Sequence, residues 1–394
     1  MLRYLAPFFT VVAYAFAQPP LIYNRAVLNA ASFMPLGVPG GAIAQASIFS
    51  IFGTRLGPSS AVRASSFPLG TSLGNVSITV TQGSTTVNAI PLYVAASQIN
   101  AIMPSNAPIG AASLRVMAGN VRSNPMTVRI ASSAFGIFTA TGTGIGLGVL
   151  FNYVSQKVQP INSATLTAQP GQIITMYGTG LGPVATDTVA PPSGNLSTPV
   201  KVFVGGETVP VSYSGRTPCC AGLDQIVFTL PDDVALGCWV PVYVQTAGTG
   251  VSNVVTMAIS SKGSTCSDSA NPLTQPIVSG QKFGAFATLR AVTREDIGTA
   301  TAVDVTGDYS GAIAYNLAKT PFPFHPLVSL PPPGTCTAYS ISGDILAGAA
   351  LPGALPSGTA LDWGSTFAIT GPKGEANAYF RVHHRDWRGF WAVP

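Results

Sequence analysis

The chain contains the stretch SIFSIFGTRLGP at residues 47–58, and it contains a second version of this stretch, QIITMYGTGLGP, at residues 172–183. Both versions include the pattern Gly-Thr-x-Leu-Gly, which begins at Gly53 and at Gly178, an offset of 178 − 53 = 125 residues. In each version a run of β-branched and aromatic residues leads into a Gly-Pro turn. The pattern is typical of a strand that ends at a tight turn, because glycine and proline do not continue a strand.

Two further sequence pairs follow in the same order. Gln98-Ile99 returns as Gln225-Ile226 at an offset of 127, and Ser123-Asn124 returns as Ser252-Asn253 at an offset of 129. Three ordered matches with a slow drift indicate a duplicated module with small loop insertions. The copies extend over roughly Val27 to Phe138 and Leu147 to Ile259.

Each copy consists of short segments with strand periodicity. Val76, Ile78 and Val80 alternate with hydroxyl side chains in the first copy, and residues 240–244 carry valine at every second position in the second copy. This alternation is typical of half-buried strands, and frequent turns between such strands indicate a β-sandwich. The 42 glycines and 33 prolines favour turns and disfavour helix interiors. We therefore predict an all-β chain of two tandem immunoglobulin-like β-sandwich modules, followed by a smaller β-rich C-terminal domain.

Several motifs together carry a resemblance to a known family. They are NAASF at residues 29–33, the Ile-Phe-Gly-Thr-x-Leu-Gly turn, QINA at 98–101, FGIFT at 135–139 and TPCCAGLDQI at 217–226. In combination they resemble an uncharacterised secreted family of soil bacteria with tandem modules similar to the IPT/TIG branch of immunoglobulin-like folds. The resemblance implies a fold and an extracytoplasmic location, and it supplies no catalytic residues. The first copy departs from the pattern, with Gln45-Ala46 where the second copy has Pro170-Gly171.

The sequence also predicts the domain limits. They are a signal peptide at 1–17, a first module at 18–139, a Gly-rich linker at 140–148, a second module at 149–260 and a C-terminal β-rich domain at 261–394. The spaced glycines of the linker are compatible with a phosphate-binding loop, but neither the following helix nor the acidic residue of a dinucleotide site is evident. A flexible connector is the favoured interpretation.

The first 17 residues have the pattern of an export signal. Arg3 precedes an apolar run that is too short to span a bilayer, and the small residues Ala15 and Ala17 suit cleavage after Ala17. The alternative is a short N-terminal membrane anchor. In the mature chain the most apolar stretch, residues 345–361, is interrupted by prolines and glycines, so we predict no membrane span there. The protein is therefore expected to be secreted or otherwise extracytoplasmic.

Five cysteines lie in the second half of the chain: Cys219, Cys220, Cys238, Cys266 and Cys336. Their spacing does not suit a zinc site, and an oxidising compartment favours disulfides. We expect one of the two adjacent cysteines to pair with Cys238, and Cys266 to pair with Cys336. Free buried thiols are the alternative, and sequence alone does not determine the connectivity.

Composition argues against several classes of function. The 19 basic residues are scattered, whereas nucleic-acid binding requires a concentrated basic surface. The only histidines are His325, His383 and His384, and a strand would place only His384 and Asp386 on one face, too few ligands for a catalytic metal. We predict no catalytic residues, no metal and no cofactor, and hence no enzyme.

Aromatic residues and arginines are concentrated near the C-terminus. Trp363, Trp387, Trp391 and Arg385 are the candidate ligand-binding residues, because such side chains suit stacking on sugar rings or a protein contact. An ordinary core is the alternative. The predicted function is a structural or interaction role, adhesion-like, at or outside the cell surface, with an unknown protein or polysaccharide partner. A carbohydrate-binding protein is the second hypothesis, and a hydrolase in the C-terminal region is the third.

Overall fold

The computed structural model describes residues 18–38, 40–189, 194–246, 250–263, 265–268, 274–295, 303–317, 358–360, 366–371 and 374–379. Almost every regular element in these residues is a strand, and the single helix, α1 (Thr274–Ser279), is short. The predicted all-β class with two immunoglobulin-like sandwiches is confirmed.

The first sandwich is built from eleven strands. They are β1 (Leu21–Asn29), β2 (Ile43–Ala44), β3 (Ile48–Thr54), β4 (Val62–Arg63), β5 (Ser72–Leu73), β6 (Val76–Gln82), β7 (Thr85–Val94), β8 (Gln98–Ile102), β9 (Gly110–Ala118), β10 (Val121–Arg122) and β11 (Met126–Ala131). The main order is β1-β3-β8-β7-β6-β9-β11-β2. The strand β7 joins the two layers, because its first half pairs with β6 and its second half pairs with β8. The inward residues of the alternating strands, such as Ile78 and Val80, are fully buried in one core.

The second sandwich repeats this plan with ten strands. They are β12 (Gly136–Ile137), β13 (Leu150–Asn152), β14 (Ile173–Thr179), β15 (Val200–Val204), β16 (Glu207–Val209), β17 (Val211–Arg216), β18 (Asp224–Thr229), β19 (Gly237–Thr246), β20 (Gly250–Val251) and β21 (Val255–Ile259). One sheet has the order β12-β14-β18-β17, with β13 also on β14, and the other has the order β16-β15-β19-β20, with β21 also on β19. A separate apolar core lies between them.

Residues that match in the sequence repeat also occupy matching positions in the strand pairing of the two modules. Ile51 pairs with Ile99 in the first copy, and Met176 pairs with Ile226 at the matching position of the second. In both copies the leucine of Gly-Thr-x-Leu-Gly, Leu56 or Leu181, is fully buried. The turn therefore anchors its leucine in the core at one end of each sandwich.

The C-terminal part is β-rich in the residues described. The strands β22 (Lys282–Glu295), β23 (Val303–Leu317) and β24 (Gly358–Ala360) form one antiparallel sheet. The strands β25 (Thr366–Gly371) and β26 (Gly374–Tyr379) form a hairpin.

The disulfides differ from the expected pairing. Cys219 is bonded to its neighbour Cys220, and Cys238 is bonded to Cys266. The strand β18 explains why the adjacent cysteines do not reach Cys238: it carries the chain about 20 Å along the sandwich before β19 begins, beyond the reach of a disulfide. Cys266 is instead held near the second sandwich by a hydrogen bond from its backbone N–H to Ala164 O at 2.8 Å. Cys336 lies outside the described residues.

Candidate functional site

The predicted ligand-binding residues Trp363, Trp387, Trp391 and Arg385 lie outside the described residues, as do the three histidines. The prediction for them stays a prediction. In the described part of the chain, a cluster of buried polar and charged side chains lies where the two sandwiches meet.

A buried ion pair forms the centre of this junction. Arg216, the last residue of β17, pairs with Asp224, the first residue of β18, and their exposed fractions are only 2% and 0%. The second terminal nitrogen of Arg216 donates to Gly182 O at 2.6 Å and to Ala46 O of the first module at 3.0 Å. The guanidinium therefore bridges the two modules.

Asp224 also holds the repeated turn of the second module. Its Oδ2 accepts hydrogen bonds from the backbone N–H groups of Gly180 at 2.6 Å and Leu181 at 2.8 Å. Burial raises the pKa of the Asp224 carboxyl, while the Arg216 charge and the two amides act in the opposite direction. The carboxylate links the turn and the ion pair in one network.

The threonine of the repeated turn makes a second link between the modules. Thr179 Oγ1 accepts a hydrogen bond from the Ile48 backbone N–H at 2.8 Å and donates to Gly222 O at 2.7 Å. Asn29 of the first module donates its side-chain N–H to Thr179 O at 3.3 Å and to Ala134 O at 3.2 Å. The equivalent residue of the first copy, Thr54, is partly exposed, so this use of the threonine belongs to the second copy.

The segment 217–223, which contains the Cys219–Cys220 disulfide, packs on the first module. Ala221 belongs to a small apolar cluster with Ile90 and Ile102. At Gly222 a Cβ atom would lie 2.7 Å from Ile48 Cγ1, so the close packing leaves no space for a side chain. The disulfide itself is at the surface, with Cys219 exposed. This cysteine-containing turn is therefore part of the interface between modules.

The repeated Ser-Asn pair, at residues 123–124 and 252–253, closes each sandwich. Asn124 accepts a hydrogen bond from Ile22 N at 2.8 Å and donates to Ile22 O at 3.0 Å. Asn253 makes the same pair of bonds to Ile137 at 2.8 and 2.9 Å. Both amides attach the first strand of their module to the end of the opposite sheet. The signal was present in the sequence, since asparagine readily bonds to the backbone.

Residues 140–148 do not form the expected flexible connector. Leu147 is 1% exposed and Ile145 is 6% exposed. Gly148 N donates to Thr256 O at 2.9 Å, and Thr256 N donates to Gly146 O at 2.8 Å. The glycine-rich segment is therefore fixed on the edge of β21, because glycines let the backbone approach that strand closely.

Two surface features remain. An open groove of about 640 Å³ lies on the first module between β1 and β11, and its lining includes Tyr23, Leu36 and Thr127. On the outer face of the second module, Phe203 and Tyr243 stack with ring centroids 4.6 Å apart. Among the residues described, three or more His, Cys, Asp or Glu side chains do not come together as metal ligands would. In the same residues no helix is long and apolar enough to cross a membrane.

The chain shows only a weak structural similarity to known proteins. No protein-family model matches the sequence, and no curated protein matches it. Among solved structures, the SGBP-B from a complex xyloglucan utilization locus of Bacteroides uniformis is 14% identical, with a TM-score of 0.20, over 76% of this chain and 62% of its own. The Bacteroides ovatus SGBP-B from a mixed-linkage glucan utilization locus, in complex with a mixed-linkage heptasaccharide, is 12% identical, with a TM-score of 0.27, over 71% and 65%.

A third structure, the extracellular region of plexin A4, is 13% identical, with a TM-score of 0.22, over 61% of this chain. The chain spans only 18% of that plexin's length, and less than two thirds of the two SGBP-B chains. Scores this low carry no functional argument.

Proposed function

We propose that the chain is an exported, non-enzymatic interaction protein whose two sandwich modules form one rigid support. The observation that carries this proposal is the junction. Arg216 and Thr179 bond directly to the first module, and Asp224 holds Arg216 in place through the buried ion pair. The two disulfides support an oxidising, extracytoplasmic compartment. The specific relationship to the IPT/TIG-like family of soil bacteria is part of the same proposal.

A rigid pair of modules has a mechanical consequence. The contact between the modules contains a buried ion pair, hydrogen bonds from both sides and the apolar cluster around Ile102 and Ala221. A flexible linker would let the modules tumble independently, whereas this contact fixes their relative orientation. The rigid pair thereby holds the C-terminal part of the chain at a defined distance from the first module. An adhesion-like role at the cell surface requires such a spacing. The partner we propose is a protein or a polysaccharide.

Carbohydrate binding is the second proposal for the same architecture. It is favoured by the concentration of Trp363, Trp387, Trp391 and Arg385 near the C-terminus, since indole rings stack on sugar faces. Under this proposal the sandwiches remain supports, and the C-terminal residues bind the glycan.

The test is a capture experiment with the immobilised full chain and separated envelope-protein and polysaccharide fractions. We expect specific retention from at least one fraction. The double variant Trp387→Ala, Trp391→Ala abolishes retention of polysaccharide if these rings bind it, while the control Tyr243→Ala, which changes an aromatic residue of the second sandwich, leaves it intact. Release of shortened glycans into the supernatant would contradict the non-enzymatic proposal and favour a hydrolase. Retention of nothing from either fraction would contradict the interaction role.

A further inference from the structure

The two copies differ in how their first strand is completed. In the first module Ile22 pairs with Gly53 and Val27 pairs with Ile51, so that four residues, 23–26, lie between the two paired parts. In the second module Ile137 pairs with Gly178 and Leu150 pairs with Met176 at matching positions, and twelve residues, 138–149, lie between them. The second copy therefore has eight additional residues at this point (12 − 4 = 8).

The additional residues cover a strand edge. Residues 146–148 lie parallel to β21 and pair with Thr256 through both its backbone N–H and its C=O. Leu147, in the middle of the segment, is 1% exposed, and Thr256 is 4% exposed. The second module thus binds a short strand supplied by its own chain.

In the first module the same edge is open. Thr127 corresponds to Thr256, since each lies three residues after the asparagine of the Ser-Asn pair. Thr127 pairs with Ser113 on β9 as Thr256 pairs with Pro241 on β19. Because alternate residues of an antiparallel strand direct their N–H and C=O to opposite sides, the backbone groups of Thr127 face away from β9.

The described residues leave that side of Thr127 uncovered. Among the described residues, β2 covers the edge of β11 only at Ile130 and Ala131 and does not reach Thr127, which is exposed. The groove of about 640 Å³ lies there, with Thr127 and Met126 on one wall and Leu21 and Tyr23 on the other. Both Leu21 and Tyr23 are 43% exposed, so the groove has an apolar rim next to a strand residue, Thr127, whose only strand partner is on β9. Exposed strand edges of this kind are templates for pairing with another polypeptide.

We propose that this groove binds an extended strand of a partner protein, which pairs parallel to β11 through the N–H and C=O of Thr127. The occupant has one aliphatic residue between glycines or other small residues, because this is the segment that the second module uses. In that module a side chain at Gly148 would collide with Leu150 Cδ1 and would lie 2.7 Å from Val255 Cγ2. The first module has Val27 and Met126 at these positions, which also favours a small residue in the partner. The proposal rests on the interaction role above and specifies the class of partner for it.

The test uses a synthetic peptide with the sequence of residues 143–150, TGIGLGVL, and the full chain, followed by amide hydrogen exchange and mass spectrometry. We expect slower exchange at residues 126–129 with peptide and no change at residues 255–259, which their own segment already covers. Thr127→Pro removes the donor N–H, which β9 does not use, and weakens binding by about tenfold. The control Thr127→Val keeps the donor and binds as the original chain does.

A second variant covers the case in which Thr127→Pro fails to fold. Replacement of residues 23–26 by residues 138–149 supplies the strand covalently and abolishes protection by the peptide. Unchanged exchange at residues 126–129 with millimolar peptide, or equal binding by the proline variant, would overturn strand addition. If the peptide fails while the capture experiment still retains a partner, the interaction role stands and only this site is wrong.

Discussion

Replacement of Arg216 by methionine tests whether the junction holds the modules together. Methionine keeps an unbranched side chain but is shorter than arginine and has no charge, so the change removes the ion pair to Asp224 and the hydrogen bonds to Gly182 O and Ala46 O. Asp224 is then a buried charge without its partner. Loss of one member of a buried pair typically costs about 3–5 kcal/mol. We expect the upper half of this range, because two carbonyls also lose their donor.

The cost depends on pH in a defined direction. Without the guanidinium, the pKa of the Asp224 carboxyl rises further, since only burial and the two backbone amides then act on it. At a pH between the pKa of Asp224 in the original chain and its higher pKa in the variant, the folded variant binds a proton that the folded original chain does not bind. Because proton binding to the folded state stabilises that state, the deficit of the variant decreases as the pH falls.

The assay is urea unfolding followed by far-ultraviolet circular dichroism and by fluorescence, at about pH 7.5 and at a more acidic pH of about 4.5. The control is Arg129→Met, which changes an exposed arginine of the first module and should alter the unfolding free energy by no more than about 0.5 kcal/mol. A cost for Arg216→Met below about 1 kcal/mol would refute a structural role of this size. A deficit that is equal at both pH values would refute the further rise of the Asp224 pKa in the variant.

Three further changes test other parts of the structure. Asn253→Ala removes three hydrogen bonds and should cost about 2–3 kcal/mol in the same assay, against about 1–2 kcal/mol for Asn124→Ala, which removes two. Gly178→Ala places a methyl group against Phe135 and should lower the unfolding free energy by about 1–3 kcal/mol, whereas Gly237→Ala meets only an ordinary 3.5 Å contact and should lower it by less. Limited reduction and alkylation should label the exposed Cys219–Cys220 pair before the buried disulfide, and mass spectrometry will contradict this if labelling begins at the buried pair.

The sandwich strands were predictable because their signal is local. Val76, Ile78 and Val80 alternate with polar neighbours, and the duplication repeats such alternation in an independent segment. The junction was not predictable in this way. Arg216 contacts a backbone carbonyl 170 residues away, and no periodicity or spacing indicates that contact. The prediction of the disulfide pairing was wrong for a similar reason. The pairing depends on the end of the sandwich at which each cysteine lies, and the sequence alone does not give that position.

A signal for the junction was nevertheless present in the places where the two copies differ. At the offset of the Gln-Ile pair, Asp224 corresponds to Ser97 of the first copy (224 − 127 = 97). In the first copy the N–H of the turn leucine, Leu56, donates to a backbone carbonyl, that of Ala96, and in the second copy the carboxylate of Asp224 accepts the equivalent bond. A duplicated fold needs the same core in both copies, but only one copy needs groups that join it to the other.

The long insertion of the second copy has two structural roles. Part of residues 138–149 packs on the first module, where Gly144 lies so close to Ser32 O that a side chain would collide with it. This part belongs to the junction. The rest completes the edge of the second sandwich at Thr256, which needs no partner because its own chain covers it. The first sandwich has the same edge without the insertion, so Thr127 is the position at which the duplication leaves a strand-binding site open to another molecule.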